Sequence, residues 1–287
     1  MNIILAEKTG FCWGVQRAVK MALDAVREYG KITILGDLIH NRAVIERLEA
    51  QGARTVESPD DIEDGSVLIR AHGISPAVRQ KVQESGAHIH DGTCPFVARV
   101  QREAQSLERE GRQIIIIGKQ GHPEVVGVLG HTSSGVVVRT EEEIERLPRY
   151  EKVGVVAQTT EDRDLFARLC ERIRQRFADV VVRDTICSAT NDRQEAACAV
   201  AARVQLMLVV GDRHSSNTTH LAEVCRSLAR AYHVTAAQEI ESSWLKGVET
   251  VGITAGASTP DWVIEAVIER LKELAREAGH EQARVIR

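Results

Sequence analysis

Aromatic side chains make up only 3% of this 287-residue chain, too few for the stacking platforms on which single-stranded nucleic acids lie. No run of lysine and arginine stands out and the net charge is −4, which argues against a dedicated nucleic-acid or membrane surface. No apolar stretch nears the roughly 20 residues that cross a bilayer. The apolar run at residues 1–6 is short and meets Glu7 and Lys8 at once. It therefore reads as a buried strand rather than a signal peptide, and the expected setting is the cytoplasm. Low-complexity linkers are also missing, so composition marks no domain boundary.

What remains is an ordinary globular composition, 43% hydrophobic and 27% charged. It includes six cysteines, Cys12, Cys94, Cys170, Cys187, Cys198 and Cys225. A reducing compartment disfavours disulfides, which leaves buried, metal-bound or catalytic thiols.

Short apolar strand patterns such as Ile114-Ile115-Ile116-Ile117 alternate with amphipathic helical ones, the mark of an α/β fold. Three cysteines each follow a strand pattern and open a helical one. A strand closed by glycine comes next, and 24 residues separate Cys12 from Gly36, Cys94 from Gly118 and Cys187 from Gly211. Four residues beyond each glycine stand His40, His122 and Ser215. Further strands end at Ala71, Ala157 and Ala255, followed by His72, by Gln158-Thr159-Thr160 and by Gly256-Ala257-Ser258. Self-similarity of this kind takes precedence over other readings. It predicts three pseudo-threefold-related α/β units, at residues 14–96, 97–190 and 191–287. Residues 1–13 would supply a strand that completes the third unit, because no strong strand pattern follows the helix expected from Asp261 to about residue 278. Ligands of α/β units gather at the carboxyl ends of strands, beside helix N-termini, so the repeat predicts one central site built from three arms.

Three thiolates on one axis invite a metal. Structural zinc prefers four ligands at short spacings, whereas these cysteines lie far apart in sequence and have no fourth counterpart. Iron–sulfur clusters are commonly held by four thiolates; three would leave one iron open to a substrate. Buried apolar packing is the alternative for any single cysteine, and Cys170, Cys198 and Cys225, inside helical patterns, are assigned to it. His40, His72, His122, Thr159, Thr160, Ser215, Ser216, Asn217 and Ser258 form a set of donors suited to an anion such as diphosphate, though each alone could be a cap or turn residue. Glu124 is a lone carboxylate among donors, either a proton source or a solvated surface group. His88, His90, His131, His214, His220, His233 and His280 carry no assigned role.

The runs Gly10-Phe11-Cys12-Trp13-Gly14-Val15, Ala71-His72-Gly73, Thr93-Cys94-Pro95, Gly121-His122-Pro123-Glu124, Gln158-Thr159-Thr160, Asp184-Thr185-Ile186-Cys187, Ser215-Ser216-Asn217-Thr218 and Gly256-Ala257-Ser258-Thr259-Pro260-Asp261 together resemble the 4-hydroxy-3-methylbut-2-enyl diphosphate reductase family over essentially the whole chain. The resemblance implies a trefoil of three α/β units and a 4Fe–4S cluster on Cys12, Cys94 and Cys187, with the substrate hydroxyl on the unique iron. It implies that His40, His72, His122, Ser215, Ser216, Asn217 and Ser258 hold the diphosphate, that Glu124 donates protons, and that Thr159 lies near the departing oxygen. Two electrons from a ferredoxin or flavodoxin would yield isopentenyl and dimethylallyl diphosphates. The chain departs from the family pattern at His214, where Asn is expected, and at Glu161-Asp162, where an apolar residue and Ser are common. A non-redox iron–sulfur enzyme of the quinolinate synthase type, a cluster-based diphosphate sensor and a zinc protein are the competing readings. Dependence on an electron donor, binding without turnover, and metal content would separate them.

Overall fold

The computed structural model describes residues 1–63, 65–277 and 283–286. In chain order the described elements are β1 (Asn2–Leu5), α1 (Trp13–Tyr29), β2 (Ile32–Leu35), α2 (Arg42–Glu49), β3 (Ala53–Val56), β4 (Ser66–Ile69), α3 (Pro76–Glu84), β5 (His88–Asp91) and α4 (Pro95–Arg109). There follow β6 (Gln113–Ile117), α5 (Pro123–Leu129), β7 (Val136–Val138), α6 (Glu141–Glu145), β8 (Lys152–Ala157), α7 (Arg163–Arg176), β9 (Asp179–Val182) and α8 (Ser188–Ala201). The chain closes with β10 (Leu206–Val210), α9 (Ser216–Leu228), β11 (Arg230–Val234), β12 (Thr250–Ala255), α10 (Asp261–Glu277) and β13 (Arg284–Ile286).

The fold is α/β with three parallel sheets, ordered β3-β2-β4-β5, β7-β6-β8-β9 and β11-β10-β12-β1-β13. The first four positions repeat the same path. The chain enters on the second strand, steps outward, then crosses to the third and fourth. Strand order therefore reverses between β2 and β4, between β6 and β8, and between β10 and β12, the switch points where α/β sheets place ligands. In the third sheet β1 takes the fourth position, with Ile3 opposite Val251 of β12. Beyond β1 lies β13, with Val285 opposite Ile3. This strand was not expected from the sequence, because its three residues carry no period-2 signal long enough to read. The strand expected to reach Ala71 ends at Ile69, and the Ala71 N–H turns to the Leu38 carbonyl instead.

Two compact units divide the chain. The smaller comprises Met1–Trp13, His40–Val44 and Ser188–Arg287, and the larger comprises Gly14–Ile39 and Ile45–Cys187. The five-stranded sheet belongs to the smaller unit and both four-stranded sheets to the larger. The middle sheet shows why an unbroken isoleucine run suits it. Ile115 and Ile117 pack with Phe166, Leu169 and Ile173 on one face. Ile114 and Ile116 pack with Val100, Ala104 and Leu107 on the other. Successive side chains of a strand point to opposite faces, and a parallel sheet covered by helices on both buries every residue. In the smaller unit Ile3, Leu208, Val251 and Ile253 form the same kind of layer with Ile264, Val267 and Leu271 of α10.

Ile116→Ala should lower the unfolding free energy by about 2–5 kcal/mol. Leu228→Ala, at an exposed position, should change it by no more than about 0.5 kcal/mol. Urea titration of both variants checks the contrast, and equal effects would contradict it.

Candidate active site

The cysteines that open α1, α4 and α8 share one backbone device. In the smaller unit the Cys12 N–H donates to the Ala257 carbonyl at 3.0 Å. In the larger, the Cys94 N–H donates to Ala71 at 2.9 Å and the Cys187 N–H to Thr159 at 2.9 Å. Each acceptor lies two residues past the end of β12, β4 or β8. All three thiols are half-buried, and no disulfide joins any of the six cysteines. Gly10, two residues before Cys12, has φ near +77°, and an added Cβ would overlap the Asp261 carboxylate; only glycine tolerates both conditions. Cys170, Cys198 and Cys225 lie inside α7, α8 and α9. Burial pushes Cys170 up to about 11 and Cys225 up to about 12, and it raises Cys198 as well, whereas metals bind the thiolate.

Within the smaller unit, α9 begins at the switch point between β10 and β12. Ser215 caps it, accepting from the Thr218 N–H at 3.4 Å. Ser216 Oγ, Asn217 Nδ2 and Thr218 Oγ1 are buried and lack a hydrogen-bond partner within the protein. Thr218 has 0% exposure, and a Cβ on Gly256 would overlap its hydroxyl, so glycine is what lets that strand end approach α9. The Ser258 hydroxyl donates to the His40 carbonyl at 3.0 Å. Asn41, beside His40, accepts the Val44 N–H at 3.2 Å and caps α2. Three consecutive buried polar groups without protein partners at a helix N-terminus have the chemistry that suits an anion. His40, Ser215, Ser216, Asn217 and Ser258 thus fall in one unit around one helix end.

The larger unit holds the other expected residues. His72 and His122 meet edge to face with ring centroids 5.4 Å apart. His122 Nδ1 accepts the Glu124 N–H at 3.2 Å, which assigns the proton of the neutral ring to Nε2. Glu124 has 2% exposure. The Thr159 N–H donates to its Oε1 at 2.6 Å and the Thr159 hydroxyl to its Oε2 at 2.8 Å. Burial pushes the Glu124 carboxyl up to about 7, the two Thr159 bonds pull it down, and the neighbouring Glu161 charge adds to the rise. Glu124 is therefore a buried carboxyl poised near neutrality and not a solvated surface group. Thr160 turns away from it, its hydroxyl accepting from Gln158 Nε2 at 3.0 Å.

The protein-family model described as LytB protein matches residues 3–272. The chain belongs to the LytB family. A 4-hydroxy-3-methylbut-2-enyl diphosphate reductase from Geobacter metallireducens is 41% identical to this LytB chain over 276 residues, covering 96% of it and 98% of the relative. A solved (E)-4-hydroxy-3-methyl-but-2-enyl diphosphate reductase, described as the terminal enzyme of the non-mevalonate pathway, is 38% identical with a TM-score of 0.71, covering 95% of this chain and 99% of that one. The Plasmodium falciparum E-1-hydroxy-2-methyl-but-2-enyl-4-diphosphate reductase is 26% identical with a TM-score of 0.90, covering 100% and 91%.

The departures of this LytB chain have local explanations. Glu161 is buried and forms a two-point ion pair with Arg139, at 3.3 Å for each contact. Asp162 caps α7 through the Leu165 N–H at 2.6 Å. His214 is exposed, and its N–H donates to Asp212 at 2.8 Å. Among the histidines without an expected role, His88 and His90 pack together beside Tyr29, His131 contacts the Gly127 carbonyl, His220 pairs with Glu223 and His233 contacts the Gly211 carbonyl; His280 lies outside the described residues. Sequence reasoning passed over Asn41 and Thr218. Both adjoin residues it named, and Thr218 stands within a run it singled out. No helix is long and apolar enough to cross a membrane among the described residues.

Because the folded Glu124 carboxyl titrates near 7 against 4.5 for an unperturbed glutamate, its contribution to stability is whole below pH 4.5 and is lost as the pH rises through about 7. The loss amounts to roughly 3 kcal/mol. Urea denaturation of Glu124→Gln across that window should show a flatter stability profile than the unchanged protein. Parallel profiles would contradict the assignment.

Proposed function

We infer that this chain is a 4-hydroxy-3-methylbut-2-enyl diphosphate reductase, an oxidoreductase that removes the hydroxyl group of its allylic diphosphate substrate and yields isopentenyl and dimethylallyl diphosphates. Near-full-length similarity to enzymes of that name supports the reaction. We propose further that Cys12, Cys94 and Cys187 hold a 4Fe–4S cluster. The support is chemical: the three thiols occupy equivalent backbone positions, and the other three lie inside helices with raised pKa values, Cys170 and Cys225 buried and Cys198 half-buried. When bound, such a cluster supplies electrons and a Lewis-acidic iron with no thiolate of its own.

The remaining steps belong to side chains. The buried Ser216, Asn217 and Thr218 groups at the start of α9 suit the diphosphate, assisted by Ser215, Ser258 and the imidazoles of His40, His72 and His122. Loss of the hydroxyl consumes two electrons and two protons and releases water. Glu124 is the proton donor in this reading. Its burial keeps a share of it protonated near neutral pH, where a general acid is most effective. Thr159 orients both carboxyl oxygens and lies beside the departing oxygen. The observation that carries the mechanism is this desolvated carboxyl, held at both oxygens by one residue. A ferredoxin or flavodoxin is the proposed electron donor. A cytoplasmic setting is proposed as well, supported by six cysteines with no disulfide among them. The unit boundaries at residues 1–13, 14–96, 97–190 and 191–287 are supported by the strands of each sheet falling within them.

After anaerobic reconstitution, Cys94→Ser should hold no cluster. Glu124→Gln should load normally yet turn over about 10²- to 10⁴-fold more slowly. Turnover of the unchanged enzyme should decline as the pH rises through about 7. Full activity of Glu124→Gln would remove Glu124 from the reaction.

A further inference from the structure

Three arginines stand in matching places. Arg17, Arg99 and Arg193 lie five, five and six residues beyond Cys12, Cys94 and Cys187, on the helices α1, α4 and α8 that those cysteines precede. In the larger unit Arg17 donates to the Thr93 carbonyl at 3.2 Å and the Asp91 carbonyl at 3.0 Å, one and three residues before Cys94. Arg99 donates to the Asp184 carbonyl at 3.4 Å, three residues before Cys187. In the smaller unit Arg193 donates to the carbonyls of Lys8 at 2.8 Å and Gly10 at 3.0 Å, four and two residues before Cys12. The relation is cyclic along the sequence. The helix after each cysteine supplies the guanidinium that grips the loop leading into the next.

The three grips differ in strength. Arg193 has only 4% exposure, Arg17 is half-buried and Arg99 is exposed with a single long bond. Removing a charge from water is costly unless its donors are engaged, and the planar fork of arginine matches two carbonyls at once. The loops into Cys94 and Cys187 have a second support. Asp91 accepts the Thr93 N–H at 3.0 Å and Asp184 accepts the Ile186 N–H at 3.1 Å. The corresponding place before Cys12 is Thr9, so that loop has no such aspartate.

We propose that Arg193 and Arg17 are positioning residues that hold the cysteine loops in their cluster-binding geometry, with Arg193 dominant because it is the most buried and grips the loop without an aspartate, while the exposed Arg99, with one bond of 3.4 Å, adds little. The inference rests on the cluster reading given above. Groups one shell out from a metal ligand orient it and set how firmly the metal is retained.

The test compares the unchanged chain with Arg193→Gln, Arg193→Lys, Arg17→Gln and Arg99→Gln after anaerobic reconstitution. Three quantities are read: the rate of iron release to a chelator, the electron paramagnetic resonance spectrum after reduction, and thermal unfolding of the cluster-free chain. Arg193→Gln should release iron about 10–100-fold faster with a shifted spectrum. Arg193→Lys should recover part of the retention, Arg17→Gln should be intermediate, and Arg99→Gln should resemble the unchanged chain. An Arg193→Gln chain that unfolds more readily but keeps the original release rate and spectrum overturns the inference. Should Arg193→Gln not fold, Arg17→Gln decides by the same two readings. An unchanged chain that takes up no iron overturns the cluster reading itself, a result distinct from variants that load and retain normally.

Discussion

A peptide N–H handed to a carbonyl two residues past a strand end fixes each repeat cysteine, and the rest of the site follows from that bond. It sets where the helix behind the cysteine starts, because the same residue ends the loop and begins α1, α4 or α8. In the second repeat the acceptor is Thr159, whose N–H and hydroxyl also grip Glu124. One residue therefore ties the loop of Cys187 to the buried carboxyl of Glu124. Displacing it would disturb both the Cys187 loop and the Glu124 carboxyl.

The anion site proposed for this chain draws on dipoles and neutral donors more than on lysine and arginine. The net charge is −4, yet the start of α9 presents unsatisfied buried amide and hydroxyl groups beside the helix N-terminus, where the macrodipole favours negative charge. Arg17 and Arg193 turn onto backbone carbonyls instead. A guanidinium bonded to the backbone is unavailable to a substrate phosphate, so under the proposed function Arg17 and Arg193 serve loop geometry while serines, asparagine and histidines are left for the ligand.

Much of this was legible in the sequence because it is written as spacing. The 24-residue offset located the glycines after β2, β6 and β10, and the isoleucine run marked the strand β6. The environment of Glu124 was not legible, since the same residue after His-Pro reads equally as solvated or buried until the Thr159 loop is placed against it. β13 was missed because three residues carry too short a pattern. Arg193 was missed for a different reason. A charged residue in a helical pattern is expected to face water, and the carbonyls of Lys8 and Gly10 give this one buried partners. Glu161 read as a departure from the family, and its burial against Arg139 gives that departure a structural partner.

The central claim is that the three repeat cysteines, and no fourth, hold one iron–sulfur cluster. Mössbauer spectroscopy of the anaerobically reconstituted chain tests it most directly. The account predicts one 4Fe–4S cluster per chain, with a single iron whose parameters differ from those of its thiolate-bound neighbours. Four equivalent thiolate-bound irons, or a chain that takes up zinc and no iron, would contradict it.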